Sequence, residues 1–410
     1  MTREAGPWGL PNFRWFFTAQ AVNTAGSTMA PVALAFAVLE VSDSAAALGL
    51  VLASHSVPMV VFLLFGGVIA DRLPRVPLLR VGNLVLALTQ GAAALLVVAG
   101  TAELWMLVAL QALNGTTLAL TYPALASLMP QLVPREMLLR ANVLQSMMRG
   151  VLRVGGPAAG GLLVVTVGAG WALLIDALTY LVTALLLVRV RIPARAAAAE
   201  KTSTLTELRE GWSLFVGTTW LWVVVVAFSL LNAIHMGAWF TLGPVLAKDT
   251  IGEQGWGLVL SAESLGLLAM TLVMLRRQVR RPLLVGMLGV ALLGPVLVLL
   301  GAAPVLVALL LAAFLAGAGL ELFTLGWNLA MQENIVERML SRAYSYDMLG
   351  SYVAIPVGQL GFSQLGEAFG IREVMVVAGI AYTAIALLTL ASGAVRRLQR
   401  APGPLEVVSA

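Results

Sequence analysis

The 410 residues include no cysteine, which excludes disulfides, thiolate metal sites, a cysteine nucleophile and cysteine acylation together. Charge is scarce as well. Asp, Glu, Lys and Arg make up 11% of the chain, against about a quarter in soluble domains, while 60% of the residues are apolar. Such a composition cannot cover an ordinary soluble surface. Two lysines occur among 25 basic residues, a bias to which no chemistry attaches. Neither follows a glycine, so the ATP-binding pattern Gly-x-x-x-x-Gly-Lys is missing. The two histidines, His55 and His235, lack His-Glu-x-x-His spacing, and Gly-x-Ser-x-Gly does not occur. The reading is therefore not an enzyme, with no cofactor and no metal. A net charge of +5 would point to nucleic acid only as a patch on a soluble face. The basic residues lie between apolar stretches instead, so no nucleic-acid partner is expected.

What the chain does have is apolar length. A membrane-spanning helix needs about 20 mostly apolar residues, so twelve need about 240, close to the apolar content of this chain. Punctuation by charge, Gly and Pro places spans near 13–39, 46–70, 78–99, 104–130, 139–166, 171–189, 219–246, 254–276, 282–301, 304–331, 342–366 and 373–395. No cleavable signal is expected, because Arg3 and Glu4 precede an apolar run too long for a signal core. Of the 25 basic residues, 21 fall at the N-terminus, in even-to-odd connections or at the C-terminus. The positive-inside rule then sets both termini in the cytoplasm.

The longest polar connection divides the spans six and six, giving bundles 1–189 and 219–410 around a cytoplasmic linker, 190–218. Internal similarity agrees. Gly49-Leu-Val-Leu-Ala-Ser recurs as Gly257-Leu-Val-Leu-Ser-Ala, and Met137-Leu-Leu-Arg-Ala141 as Met339-Leu-Ser-Arg-Ala343. Parallel repeats of this kind enclose a site near the midplane at their interface.

After the second span, Gly67-Val-Ile-Ala-Asp71-Arg72-Leu-Pro-Arg75 resembles the loop signature of the major facilitator superfamily of transporters, Gly-x-x-x-Asp-Arg-x-Gly-Arg-Arg. Pro74 and Val76 depart from it. The resemblance covers the whole chain. It implies an all-α membrane protein of two six-helix bundles, with Gly67, Asp71, Arg72 and Arg75 clamping the cytoplasmic side and Asp347 joining that gate. Gly156-Pro157-Ala-Ala-Gly160-Gly161 in the fifth span is similar to the core of the signature found in the superfamily's antiporters, although Leu152 stands where that signature has a further glycine. In the fourth span Gln111 occupies the place of an arginine common in proton-coupled members. Val133-Pro-Arg-Glu136 and Leu174-Ile-Asp-Ala177 look most like the macrolide-efflux and siderophore-exporter group.

An ionisable side chain near the bilayer centre costs about 3 kcal/mol on insertion scales, so each should have a partner or a task. Proton-coupling candidates are Glu263, Glu321, His55, Arg149 and Arg153. Under the repeat, His55 matches Glu263. The superfamily's geometry would pair Glu263 with Arg153 or Arg149. That pair is either a carboxylate alternating between proton and arginine or a fixed bond that closes one conformation. Glu321, among glycines in the tenth span, is assigned to transport or to a buried helix–helix bond, Asp176 to a structural hydrogen bond. Asn232, His235 and the aromatics Phe36, Tyr122, Trp239, Phe240, Phe323 and Trp327 are cavity candidates for a bulky amphipathic ligand, with packing as their alternative.

The resulting expectation is a secondary transporter of the bacterial cell membrane, with lipid, protons and a small molecule as partners, acting as a monomer. Export of a lipophilic compound against protons is the first reading, and proton-coupled uptake of a small nutrient the second.

Overall fold

The computed structural model describes residues 6–72, 74–126, 128–191, 212–213, 215–274, 276, 279–335 and 337–399. The side chains of 63–72 and of several residues in 123–139 and 337–349 lie outside this description. Among the described residues every element is helical. Eleven helices are long and apolar enough to cross a membrane. They are α1 (Pro11–Val41), α2 (Ala45–Phe62 within Ala45–Arg72), α3 (Arg75–Val98), α4 (Leu104–Tyr122 within Leu104–Ala126), α5 (Arg140–Val167), α6 (Ala169–Leu187), α7 (Thr219–Lys248), α8 (Gly252–Met274), α9 (Pro282–Ala302), α10 (Leu306–Asn334) and α12 (Ile371–Ala391). Between the last two lies α11 (Glu337–Phe369), a 33-residue helix outside that set, which contains the expected span 342–366.

Local chemistry explains the boundaries. Pro11 and Pro282 stand in first turns, where a missing N–H costs nothing. Gly168 separates α5 from α6 at φ 93°, and Gly370 separates α11 from α12 at φ 89°. A side chain would be strained at either turn.

The chain forms two compact units. The N-terminal unit comprises Met1–Ala199 with Ala247–Ser261, and the C-terminal unit Glu200–Leu246 with Ala262–Ala410. The hairpin that ends α7 and begins α8 thus belongs with the N-terminal unit. In that unit α1 packs on α5 and α6, α2 on α4, and α3 on α4 and α6. Arg80 of α3 donates to Leu187 O at 2.8 Å, Val190 O at 3.0 Å and Val188 O at 3.2 Å, satisfying carbonyls left open at the end of α6. Asn12 binds Arg191 through N–H and C=O groups at 2.8 and 3.1 Å, fixing the start of α1 beside it.

Helix pairs recur in the C-terminal unit, where α7 packs on α11, and α9 on α10 and α12. One contact repeats at matched positions. Gly115 of α4 faces His55 O of α2, and Gly317 of α10 faces Glu263 O of α8, each so closely that a Cβ would overlap the carbonyl oxygen. The offsets are those of the sequence repeats.

Candidate functional site

In the C-terminal unit, α7 departs from α-helical winding over His235–Leu242, where it is π-helical. Gly243 N–H bonds back five residues to Ala238 O, and the Thr241 hydroxyl bonds Met236 O at 2.9 Å. Such widened turns are rare and are found frequently at functional sites. This one carries His235 and Trp239, which with α8 build the site around Glu263.

Glu263 is 7% exposed. Its Oε2 accepts a hydrogen bond from Trp239 Nε1–H at 3.0 Å, and the indole is fully buried. His235 Nε2 stands 3.7 Å from Oε1, just outside hydrogen-bond reach, with the Phe240 ring 5.2 Å from the imidazole. Tyr382 of α12 is buried within electrostatic reach of the same carboxylate. Within this unit the carboxylate's contacts are an indole and an imidazole from α7. An indole N–H can donate to a carboxylate oxygen or, more weakly, to the carbonyl of a neutral acid, so either protonation state can keep the bond.

Two further acids lie in this unit. Glu321 of α10 meets the Thr271 hydroxyl of α8 at 2.8 Å, a hydroxyl that also lies 3.0 Å from Leu267 O. One proton is shared between two acceptors there. This contact joins α8 to α10, with Glu321 half-buried. Asp347 of α11 accepts from Trp327 Nε1–H at 3.1 Å. Trp327 stacks on Phe323 with centroids 6.0 Å apart, Phe323 on Phe228 at 3.9 Å, and Trp220 meets Trp327 edge-on at 5.7 Å. Phe323 and Trp327 are thus part of a packed aromatic column that ends on a carboxylate.

In the N-terminal unit, the small residues of α5 are used for close approach. Gly156 and Gly160 lie against Thr28 and Met29 of α1, and Gly161 lies against Glu253 and Gly257 of α8. Gly257 in turn touches Pro157 O. Beside that proline, Ala158 N–H donates to Ser261 Oγ at 2.9 Å. The same hairpin is tied at its other end, where Lys248 Nζ pairs with Asp43 Oδ1 at 2.7 Å. Arg149 and Arg153 are exposed on α5, and Arg149 bonds Gln145 Oε1 at 3.3 Å. His55 is half-buried, and its Nδ1 has no hydrogen-bond partner. Phe36 is buried in packing, Tyr122 is exposed, and Asn232 is half-buried. Arg75 opens α3, half-buried. The side chains of Gly67, Asp71 and Arg72 lie outside the described residues.

Sequence reasoning found the acids but not what holds them. In the sequence Trp239 and Trp327 carry two readings, cavity or packing, Thr271 and Ser261 carry no chemical signal, and no pattern marks the π-helical turn.

The sequence matches the family described as transmembrane secretion effectors over residues 3–401. It is 24% identical to macrolide efflux protein A of Streptococcus pyogenes over 408 residues, covering 95% of this chain and 98% of that protein. It is also 24% identical over 395 residues to YfiS of Bacillus subtilis (strain 168), described as a transporter of major facilitator type, covering 91% of each. Among solved structures, a variant of the nucleoside transporter NupG superposes with TM-score 0.75 at 13% identity, covering 93% of this chain and 99% of that one. The D-xylose–proton symporter superposes with TM-score 0.71 at 14% identity, covering 92% and 96%.

Proposed function

The chain belongs to the transmembrane secretion effector family of major facilitator transporters, and from that membership we propose that it exports a small lipophilic or amphipathic molecule in exchange for protons. The observation that carries the coupling is Glu263, a buried carboxylate whose contacts within the C-terminal unit are an indole N–H and an imidazole. Such an acid can take up and release a proton without losing its hydrogen bond. Export is supported by the 24% identity to a macrolide efflux protein along nearly the whole chain, and by the Gly-Pro-x-x-Gly-Gly core of α5. The structural likeness to a proton symporter favours the second reading, proton-coupled uptake through the same fold.

In this proposal α11 also spans the membrane, as the eleventh of twelve helices, and both termini are cytoplasmic. Bundles 1–189 and 219–410 alternate access to a central site, and 190–218 links them on the cytoplasmic side. Gly67, Asp71, Arg72, Arg75 and Asp347 form the cytoplasmic gate. One pH unit contributes about 1.4 kcal/mol per proton and 100 mV about 2.3 per charge, so one coupled acid supports a gradient of several hundredfold.

The test is substrate movement in reconstituted liposomes under an imposed pH gradient, with a panel of lipophilic compounds. Movement opposite to the proton flux is expected, with coupling lost in Glu263→Gln and retained in Glu321→Gln. Movement in the direction of the protons replaces export with uptake. Gradient-driven transport unchanged in Glu263→Gln removes Glu263 from the mechanism.

A further inference from the structure

The core of the N-terminal unit holds a second buried acid, away from Glu263. Asp176 of α6 is 1% exposed. Its Oδ2 accepts from Gln90 Nε2 of α3 at 3.0 Å. Gln90 is itself oriented by α4, since Gln111 Nε2 and Asn114 Nδ2 approach its Oε1 at 3.3 and 3.4 Å. The other carboxyl oxygen, Oδ1, is buried and has no hydrogen-bond partner.

Among the described residues of this unit, no cation is placed to balance a charge here. The helices packed on α6 are α1, α3 and α5. On α1 the ionisable groups are Arg14 and Glu40, twelve and fourteen residues from Gly26, or about 18 and 21 Å along the axis. On α3 they are Arg75 and Arg80, the latter ten residues or about 15 Å from Gln90 and occupied at the end of α6. Arg140, Arg149 and Arg153 of α5 are exposed. Behind α3, α4 offers Tyr122, which is exposed, and His55 of α2 lies beyond it against Gln111. Tyr180, one turn along α6, is the neighbouring titratable group.

What Oδ1 does face is an oxygen. Gly26 of α1 lies against both Asp176 Oδ1 and Thr179 Oγ1, so closely that one added methyl would overlap the two. The Thr179 proton is directed to Asp176 O at 2.7 Å, which leaves a lone pair on its hydroxyl. With its proton on Asp176 O the Thr179 hydroxyl is an acceptor for Oδ1–H, and one donor at Oδ2 with that acceptor complements a neutral acid; turned to Oδ1, the same proton would serve a carboxylate instead. Nor does the fold demand an acid at this seam. The matching α9–α12 seam carries the Thr383 hydroxyl on Ala291 O at 3.3 Å and close contacts at Gly294 and Gly379.

We propose that Asp176 is a proton-binding site of the N-terminal unit, with the bound proton on Oδ1, directed to Thr179 Oγ1, and Gln90 holding Oδ2. The ligand is the proton itself, and it lets α1, α3, α4 and α6 close around the acid. Raising the pH until the proton leaves strands a charge among amides and loosens that packing. This site is independent of the coupling role proposed for Glu263.

Infrared spectroscopy of the reconstituted full chain at neutral pH tests it. The parent should show a protonated-carboxyl C=O band that is missing from Asp176→Asn, and Thr179→Val should shift that band by removing its acceptor. The parent's melting temperature should fall further on alkalinisation than that of Asp176→Asn. Identical spectra for parent and Asp176→Asn overturn the proposal. So does a band that disappears when sodium is added, which gives the site to a metal cation. Should Asp176→Asn not fold, an unmoved band in Thr179→Val overturns the proposal by itself.

Discussion

Two carboxylates of the C-terminal unit are held the same way, each by one indole N–H: Glu263 by Trp239 and Asp347 by Trp327. A hydrogen bond to a charged group contributes about 1.5–3 kcal/mol, and phenylalanine keeps most of the ring packing while removing the donor. Trp239→Phe should therefore cost roughly tenfold or more in the rate of pH-gradient-driven transport, read in the same liposomes as Glu263→Gln. If Trp239 only packs, the variant instead lowers thermal stability and leaves the gradient dependence intact. At this scale the sequence identifies the acids, because charge inside an apolar run is visible in one dimension. Their partners are 24 and 20 residues away in sequence, on separate helices, and no local spacing reports such a pair.

At the scale of helices, glycine positions decide how near two axes come. Gly317 lets α10 lie on Glu263 O, whereas an added Cβ at Gly155 meets nothing within 4 Å. Gly317→Ala should lower stability by about 1–3 kcal/mol through overpacking, and Gly155→Ala should raise it by up to about 1 kcal/mol through helix propensity. Thermal unfolding in detergent measures both, and equal effects would refute the close contact. The α5–α8 seam makes a second prediction. Pro157 removes one backbone donor from α5, and Ser261 accepts the next, Ala158 N–H. Ser261→Ala leaves that N–H without its hydroxyl, at a cost of about 1–3 kcal/mol, and Ser261→Thr should recover part of it. The proline and the small residues of α5 were legible as a place of close packing. The serine opposite them was not, since a lone Ser in an apolar helix has no periodic signature.

Across the whole molecule, orientation follows from where the arginines fall, and the absence of cysteine makes it directly measurable. A single cysteine at Thr101, exposed between α3 and α4, should react with a membrane-impermeant maleimide on intact cells, and one at exposed Arg397 should not. Labelling of Arg397→Cys alone would reverse the proposed topology. The sequence by itself determined that the chain is a multi-span helical membrane protein and which acids fall inside its apolar runs. Transfer of apolar length and of charge between water and lipid is set by composition along the chain. It also carried the repeat, because duplicated segments keep their order. Only the tertiary structure decided that Glu263 meets Trp239 and His235 from a π-helical turn, that Asp176 is enclosed by amides from α3 and α4, and that the hairpin Ala247–Ser261 joins the N-terminal unit. Those outcomes depend on which faces of separate helices pack together. That choice is made by side-chain volume and glycine gaps summed over many contacts, and no single stretch of sequence contains it.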